Sequence, residues 1–397
     1  MVETPVYMDN HATTRVDPRV IEAMLPLFGE AYGNPGSMTH YFGWSAKTRL
    51  GEARARIAEL IGARPKEIVF TSGATESNNL ALCGATDKLA RKGKHIISVT
   101  TEHPSVLDPL IKLQRRGFEI TLLPVVRAPD PAAGLISAEQ VAEALRDDTV
   151  LVSVMLGNNE IGAIHPVGEI AEVCRQRSVL LHCDATQAIG KMPVDVAALG
   201  VDLMSFTAHK IYGPKGIGAL YVRGRKPRVR LQSQIDGGGQ ESGLRSGTLN
   251  MPGIIGLARA MELCDEEMPE EPERLRQLRD RLFEGLTSSI DGVTLNGPAL
   301  NDPGVRLPNN LNVSFARVDG EALLMSMKDI ALSTGSACSS SDPQPSHVLR
   351  ALGLDNELTR GSVRFGLGRF TTAEEVEFAV ELVVKTISRL RGMSSLM

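Results

Sequence analysis

Lys210 ends the run Ser205-Phe206-Thr207-Ala208-His209 and precedes the glycine-rich stretch Gly213-Pro214-Lys215-Gly216-Ile217-Gly218. The pattern reads as a buried strand leaving into a polar turn. A lysine at such an exit is costly to desolvate, and burial favours its free, nucleophilic amine. Schiff-base formation with a carbonyl is the chemistry such an amine performs. Asp184 closes a second apolar run, Val179-Leu180-Leu181-His182-Cys183. A lysine that forms an imine and an acid that meets a pyridinium nitrogen are the pair that pyridoxal phosphate (PLP) sites use. Lys210 is therefore the expected point of attachment.

Other clusters suit the same site. Thr71-Ser72-Gly73-Ala74-Thr75-Glu76-Ser77 follows an apolar run and opens a helix-period segment. Unpaired amides and the helix dipole make such a turn an anion site, although a plain helix cap uses the same residues. Thr207 and His209 would add phosphate donors beside the lysine. Asp184 would keep a ring nitrogen protonated and Gln187 would bond the ring hydroxyl; taken alone, Asp184 would also serve as a helix cap. His103, in Thr101-Glu102-His103-Pro104-Ser105, would stack on the ring and move protons, or is simply structural. Asn158-Asn159-Glu160-Ile161-Gly162 ends a strand with an amide pair that turn chemistry alone would explain. Arg364, in Ser362-Val363-Arg364-Phe365-Gly366, alternates as in a half-buried strand and suits bidentate capture of a carboxylate or a structural ion pair. Gly237-Gly238-Gly239 and Arg245-Ser246-Gly247-Thr248 form a polar segment able to reach a phosphate across a subunit interface.

Five cysteines, Cys83, Cys174, Cys183, Cys264 and Cys338, lie far apart with no C-x-x-C pair. A reducing, cytosolic compartment follows as the expectation, and no resident metal is expected. Four of the five sit in apolar or helical surroundings and read as core. Cys338 sits in Gly335-Ser336-Ala337-Cys338-Ser339-Ser340-Ser341-Asp342-Pro343, small and turn-forming, which predicts an exposed, reactive thiol.

These residues need elements to position them. At 397 residues the chain exceeds the usual size of one core, so two domains are expected. From about 45 to 225, helical and strand patterns alternate, the mark of a mainly parallel α/β sheet. Strands are predicted at Ile68-Thr71, Ile96-Thr100, Glu119-Leu123, Val150-Met155, Val179-Asp184, Leu203-Thr207 and Ala219-Val222. Several end in polar residues, which should converge at the carboxyl edge of the sheet, where α/β folds bind ligands. Beyond about residue 260 a smaller α+β domain is expected. Its marks are an acidic surface segment from Glu266 to Pro272, a helix with Leu275, Leu278, Leu282 and Leu286, and a C-terminal helix opened by a Thr372/Glu375 capping box. The bounds read as 16–260 for the larger domain, with 1–15 and 261–397 for the smaller.

Net charge is −4, with both signs interspersed, and no basic face suggests nucleic acid. The run Arg223 to Arg230 reads as a solvated loop. No apolar run reaches membrane-spanning length, and the N-terminus carries no signal-peptide pattern. A P-loop nucleotide site is excluded by the lack of G-x-x-x-x-G-K-[ST].

The chain resembles the cysteine desulfurases of the NifS/IscS family, class V aminotransferase-like enzymes of PLP fold type I. The resemblance runs from Tyr7-Met8-Asp9-Asn10-His11-Ala12-Thr13-Thr14 to Arg364-Phe365-Gly366-Leu367-Gly368-Arg369. It rests on SGATESNN at 72–79, TEH at 101–103, NNEIG at 158–162, DATQ at 184–187, AHKIYGPKGIGALYV at 208–222, RSGT at 245–248 and GSAC at 335–338.

The resemblance implies that Lys210 holds PLP as the internal aldimine. Ala74, Thr75, Thr207, His209 and the partner subunit's Thr248 would bind phosphate in a homodimer. Asp184, Gln187, Asn159 and His103 would surround the ring, and Asn34 and Arg364 would hold the substrate carboxylate. Cys338 would accept sulfur from L-cysteine on a long mobile loop and pass the persulfide to an acceptor or Fe–S scaffold protein, with transient Fe–S contact. The chain ends at Met397, short of the tail with which housekeeping relatives dock a scaffold, so docking by that route is not expected. Asp236 stands where His is common, and Thr207-Ala208 keeps the hydroxyl of the more frequent Ser-Gly or Ser-Ala. Selenocysteine lyase, another class V aminotransferase, and a non-enzymatic sulfur carrier are the alternative readings.

Overall fold

A computed structural model of the chain describes residues 2–225, 227–334 and 346–394. Cys338 lies outside the described residues. Seven strands form one sheet: Ile68–Thr71 (β1), His95–Val99 (β2), Glu119–Leu123 (β3), Thr149–Met155 (β4), Leu180–Asp184 (β5), Leu203–Thr207 (β6) and Gly218–Val222 (β7). Their order is β1-β7-β6-β5-β4-β2-β3, and β7 alone runs against its neighbours. Strands β1, β2, β4, β6 and β7 are buried along their whole length. That is the condition of a sheet covered on both faces, and it is why these runs read as continuous rather than alternating apolar.

All seven expected strands are present, with small shifts at their ends. β2 begins at His95, one residue before the apolar run. The His95 ring is buried between the hydroxyls of Thr149, at 2.7 Å, and Thr121, at 2.8 Å, so a polar residue satisfied on both sides extends the strand. Met155 pairs with Asp184, and Asp184 with Ser205. The register therefore brings the carboxyl ends of β4, β5 and β6 level.

Helices Ala74–Leu89 (α1) and Pro104–Arg115 (α2) follow β1 and β2 directly. A second, antiparallel sheet joins Val293–Leu295 (β8), Asn310–Phe315 (β9) and Ser362–Gly366 (β10) in the order β10-β9-β8. Between the sheets in sequence run Met251–Glu267 (α3) and Glu271–Ser289 (α4), and Ala373–Ser394 (α5) closes the chain. Leu275, Leu278, Leu282 and Leu286 of α4 share a core with Val376, Val383 and Ile387 of α5. The capping boxes at Ser137/Gln140 and Thr372/Glu375 both form.

Two cores thus stand side by side. α3 gives Leu257, Met261 and Cys264 to the larger one, and Val348, Leu349 and Leu352 join it from between β9 and β10. Residues 260 and 261 both lie within α3. Val6–Tyr7 pairs in parallel with Ile330–Ala331, which seats the N-terminal strand in the smaller core. The acidic segment before α4 is not a plain surface stretch. Glu271 is buried and takes the Tyr212 hydroxyl and the Arg369 Nε, both at 3.1 Å. Among the described residues no helix is long and apolar enough to cross a membrane.

Candidate active site

A cavity of about 480 Å³ opens at the carboxyl edge of the large sheet. Lys210 enters it from the turn after β6, half-buried, with Nζ donating to the carbonyls of His11 and, at 2.7 Å, Ala12. The turn is held from outside by the chain's N-terminal segment: the Tyr212 amide donates to Thr14 Oγ1 at 2.7 Å, and Thr14 Oγ1 to the His209 carbonyl at 3.0 Å. From behind, the buried Lys191 ammonium donates to the Lys210 carbonyl at 2.9 Å.

One end of the cavity suits an anion. Ser72, Gly73, Ala74 and Thr75 line it at the N-terminus of α1, whose first amides have no carbonyl within the helix to bond. Gly218 on β7 is required here. A Cβ on it would stand 2.6 Å from the Phe206 carbonyl oxygen and 2.7 Å from Gly73 Cα. Lys210 and Lys215 add positive charge and, after burial, push His209 down to about 4. A neutral His209 keeps Nδ1 at 3.1 Å from Thr13 Oγ1. The Thr207 hydroxyl lines the cavity but directs its proton to the Ile217 carbonyl at 2.9 Å.

The middle of the cavity carries a carboxylate. Asp184 is buried, with Oδ2 accepting from Asn78 Nδ2 at 2.7 Å and Oδ1 from the Thr186 amide at 2.9 Å. Asn78 also donates to Ser105 Oγ at 2.9 Å, and Ser105 bonds His103 Nδ1 through its hydroxyl at 2.8 Å and its amide at 3.1 Å. Two donors on Nδ1 place the proton of a neutral His103 on Nε2. Burial lowers the His103 pKa, and the Asp184 charge opposes that shift. Beneath Asp184, Glu102 is held well above the usual carboxylate range by burial and by Asp184 itself.

At the far end Arg364, buried on β10, donates to the Asn159 carbonyl at 2.9 Å, Asp9 Oδ1 at 2.9 Å and Ser333 Oγ at 2.7 Å. Its Nε is buried with no hydrogen-bond partner among the described residues. Ser333 and Ser346 flank the segment that carries Cys338, and both are tied here. Ser333 also donates to Asp9 Oδ1 at 2.7 Å, while Ser346 donates to Glu160 Oε2 at 2.5 Å. His347 Nε2 meets the Glu102 carbonyl at 2.9 Å.

Ala74, Thr75, His103, Asn159, Asp184, Gln187, Thr207, His209, Lys210 and Arg364 thus line one cavity. Asn34 and Thr248 do not reach it. Both are exposed and line a second cleft of about 900 Å³, and Asn34 Oδ1 caps its own turn by accepting from the Gly36 amide at 2.8 Å. Asn78, Ser105 and His11 were not singled out from sequence, although all three lie in the quoted motifs or beside them.

The class-V aminotransferase model matches residues 6–378. The chain belongs to the class-V aminotransferase family. Among curated members, the cysteine desulfurase IscS of Anaeromyxobacter dehalogenans is 53% identical over 395 residues, covering 100% of this chain and 95% of that protein. Among solved structures, a NifS-like protein superposes with a TM-score of 0.87 at 38% identity, covering 96% and 99% of the two chains. SspA in complex with cysteine gives 0.79 at 36% identity, covering 92% and 100%. As a class-V enzyme the protein uses pyridoxal phosphate, and the cavity fits that cofactor. Its polar groups run from a helix N-terminus that donates to phosphate, past a lysine amine, to a buried carboxylate that accepts from the ring nitrogen.

Proposed function

We propose that the protein is a cysteine desulfurase that converts L-cysteine to L-alanine and leaves the sulfur as a persulfide on Cys338. The observation that carries this reading is the convergence at one cavity of Lys210, Asp184 and Arg364, with Ser333, at the start of the Cys338 segment, bonded to Arg364. Cys338 is four residues beyond Thr334, so covalent geometry keeps its Cα within about 14 Å of Thr334.

Bound through Lys210, pyridoxal phosphate supplies an electron sink that makes the substrate's α-proton removable. Arg364 holds the substrate carboxylate, and the Lys210 amine, released when the substrate's own amine takes its place, removes the α-proton. The Cys338 thiolate attacks the substrate sulfur: an S–S bond forms, the Cβ–S bond breaks, and its electron pair stays with carbon. Carbon is reduced as sulfur is oxidised, so no outside oxidant enters. His103, with its Nε2 proton, is placed to serve the departing groups.

The active form is a homodimer in which the partner subunit's Thr248 completes the phosphate site. An outward apolar face supports this, with Phe28, Tyr32, Tyr41 and Trp44 exposed by 68%, 64%, 71% and 54%. Persulfide sulfur passes to an acceptor protein for Fe–S cluster or other sulfur-cofactor synthesis, in the cytoplasm. The domain bounds that suit this cycle are 16–260 for the cofactor-holding unit and 1–15 with 261–397 for the unit carrying the thiol.

The test is a pair of variants assayed with L-cysteine. Cys338→Ser protein keeps its cofactor absorbance and releases no sulfide, whereas Lys210→Ala loses both the native absorbance and turnover. Sulfide release by Cys338→Ser protein would sink the desulfurase mechanism in favour of a reading that needs no thiol.

A further inference from the structure

His11 belongs to no role described so far, yet it is 1% exposed and lines the cavity. Both its ring nitrogens and its carbonyl are engaged. Nδ1 lies 3.1 Å from Gln187 Oε1, Nε2 lies 3.2 Å from Asn310 Nδ2, and the carbonyl accepts from Gln187 Nε2 at 3.0 Å as well as from Lys210. Which atoms donate follows from a cation further back. The buried Arg306 can only donate, and its Nη2 meets Asn310 Oδ1 at 3.0 Å. Asn310 must therefore present its amide nitrogen forward, where it donates to the Glu160 carbonyl at 3.0 Å and to His11 Nε2. With Nε2 accepting, a neutral His11 carries its proton on Nδ1 and donates to Gln187 Oε1. Gln187 then keeps its nitrogen outward, with one hydrogen on the His11 carbonyl and one left for a group in the cavity.

Two glycines seat this chain. A Cβ on Gly366 would stand 2.9 Å from His11 Cδ2, and one on Gly162 would stand 2.7 Å from Asn310 Oδ1. The charges that face His11 are all cationic, namely Arg364, Lys191 and Lys210, and together with burial they hold it neutral, down to about 3. Among the described residues no carboxylate acts on the ring to charge it and reverse the order of donors.

We propose that His11 is a positioning residue whose Nδ1–H tautomer, set by Arg306 through Asn310, locks Gln187 as a hydrogen-bond donor to the ring oxygen of the cofactor. A flipped Gln187 would turn its own oxygen on that anionic ring oxygen. The donor stabilises the ring oxygen most when the imine nitrogen beside it has lost its proton, so it lowers the pH at which the cofactor band titrates.

This proposal rests on the cofactor reading above, and the experiment separates the two. The pH titration of the cofactor's visible band is measured in holoprotein for wild type, His11→Ala, Gln187→Ala and the double variant. His11→Ala and Gln187→Ala should each raise the midpoint by about one unit, a tenfold change in proton affinity. The double variant should titrate like Gln187→Ala alone, since His11 acts only through Gln187. An unmoved midpoint in His11→Ala, or a further shift in the double variant, overturns the relay. Wild-type apoprotein labelled with 15N-histidine needs no variant to fold: the Nδ1–H tautomer is expected for His11, and an Nε2–H tautomer overturns the proposal. A wild-type protein without any cofactor band would instead sink the cofactor reading.

Discussion

Asn78 donates to Asp184 Oδ2 at 2.7 Å from one turn inside the helix whose N-terminus forms the anion end of the cavity. One rigid element therefore sets both the phosphate position and the orientation of the carboxylate that meets the ring. The same amide nitrogen reaches Ser105, which fixes the His103 tautomer. Asn78 needs no contact with the reacting atoms to matter to both.

Replacing Asn78 with Ala should leave a folded protein whose turnover falls roughly ten- to a hundredfold, the worth of one hydrogen bond to a buried charge. Steady-state kinetics check this. The fall should appear in kcat more than in KM, because the substrate carboxylate is held elsewhere, by Arg364. An unaltered kcat would remove Asn78 from the site's supporting structure.

Arg364→Lys keeps the charge and loses the planar fork that now reaches Asn159, Asp9 and Ser333 at once. KM for L-cysteine should rise roughly ten- to a hundredfold while the cofactor band stays in place. A variant with unchanged KM would assign Arg364 to the purely structural ion pair with Asp9, at 2.9 Å.

Glu160 should leave a pH signature on stability. Burial raises its pKa to about 7, against the Ser346 hydrogen bond and the Arg364 charge, which lower it. A raised folded-state pKa means that the native protein holds a proton the unfolded chain has released. This contribution is full below the ordinary glutamate range, declines as pH rises through it, and is gone above about 7. Thermal unfolding from pH 4.5 to 8 should therefore show Glu160→Gln gaining on wild type as pH rises, with the difference levelling off above neutrality. A difference independent of pH would contradict a buried, protonated Glu160.

Subunit mixing tests the reach of Thr248. If the partner subunit's Thr248 completes each site, Lys210→Ala and Thr248→Ala chains refolded together in equal amounts place both defects in one site of each hybrid and neither in the other. About a quarter of all sites are then intact, so activity should return towards that fraction. Mixtures no more active than the separate proteins would confine Thr248 to its own chain.

The large sheet was legible in the sequence because a strand buried on both faces must be apolar along its length, and five of its seven strands are such runs. Lys210 and Asp184 stood out in the sequence because each is a polar group at or just past the end of such a run, where chemistry or a cap is the use for it. His11 and Asn78 did not, since nothing local marks them. Their partners Asn310 and Asp184 lie 299 and 106 positions away. The acidic stretch before α4 misled for the same reason: charge suggests solvent, and only packing brings Arg369 and Tyr212 onto Glu271.

Residue type and order by themselves pointed to a lysine and an acid at strand ends, to the strands that carry them and to a cysteine in a small, polar segment. These are short-range matters, settled by which side chains can lie in an apolar run and which must leave it. Tertiary structure alone decided how the donors point. Burial removes water as an alternative partner, so each polar atom must find a protein atom of opposite role. The order of donors from Arg306 through Asn310 and His11 to Gln187 therefore exists only once three distant segments have been packed together.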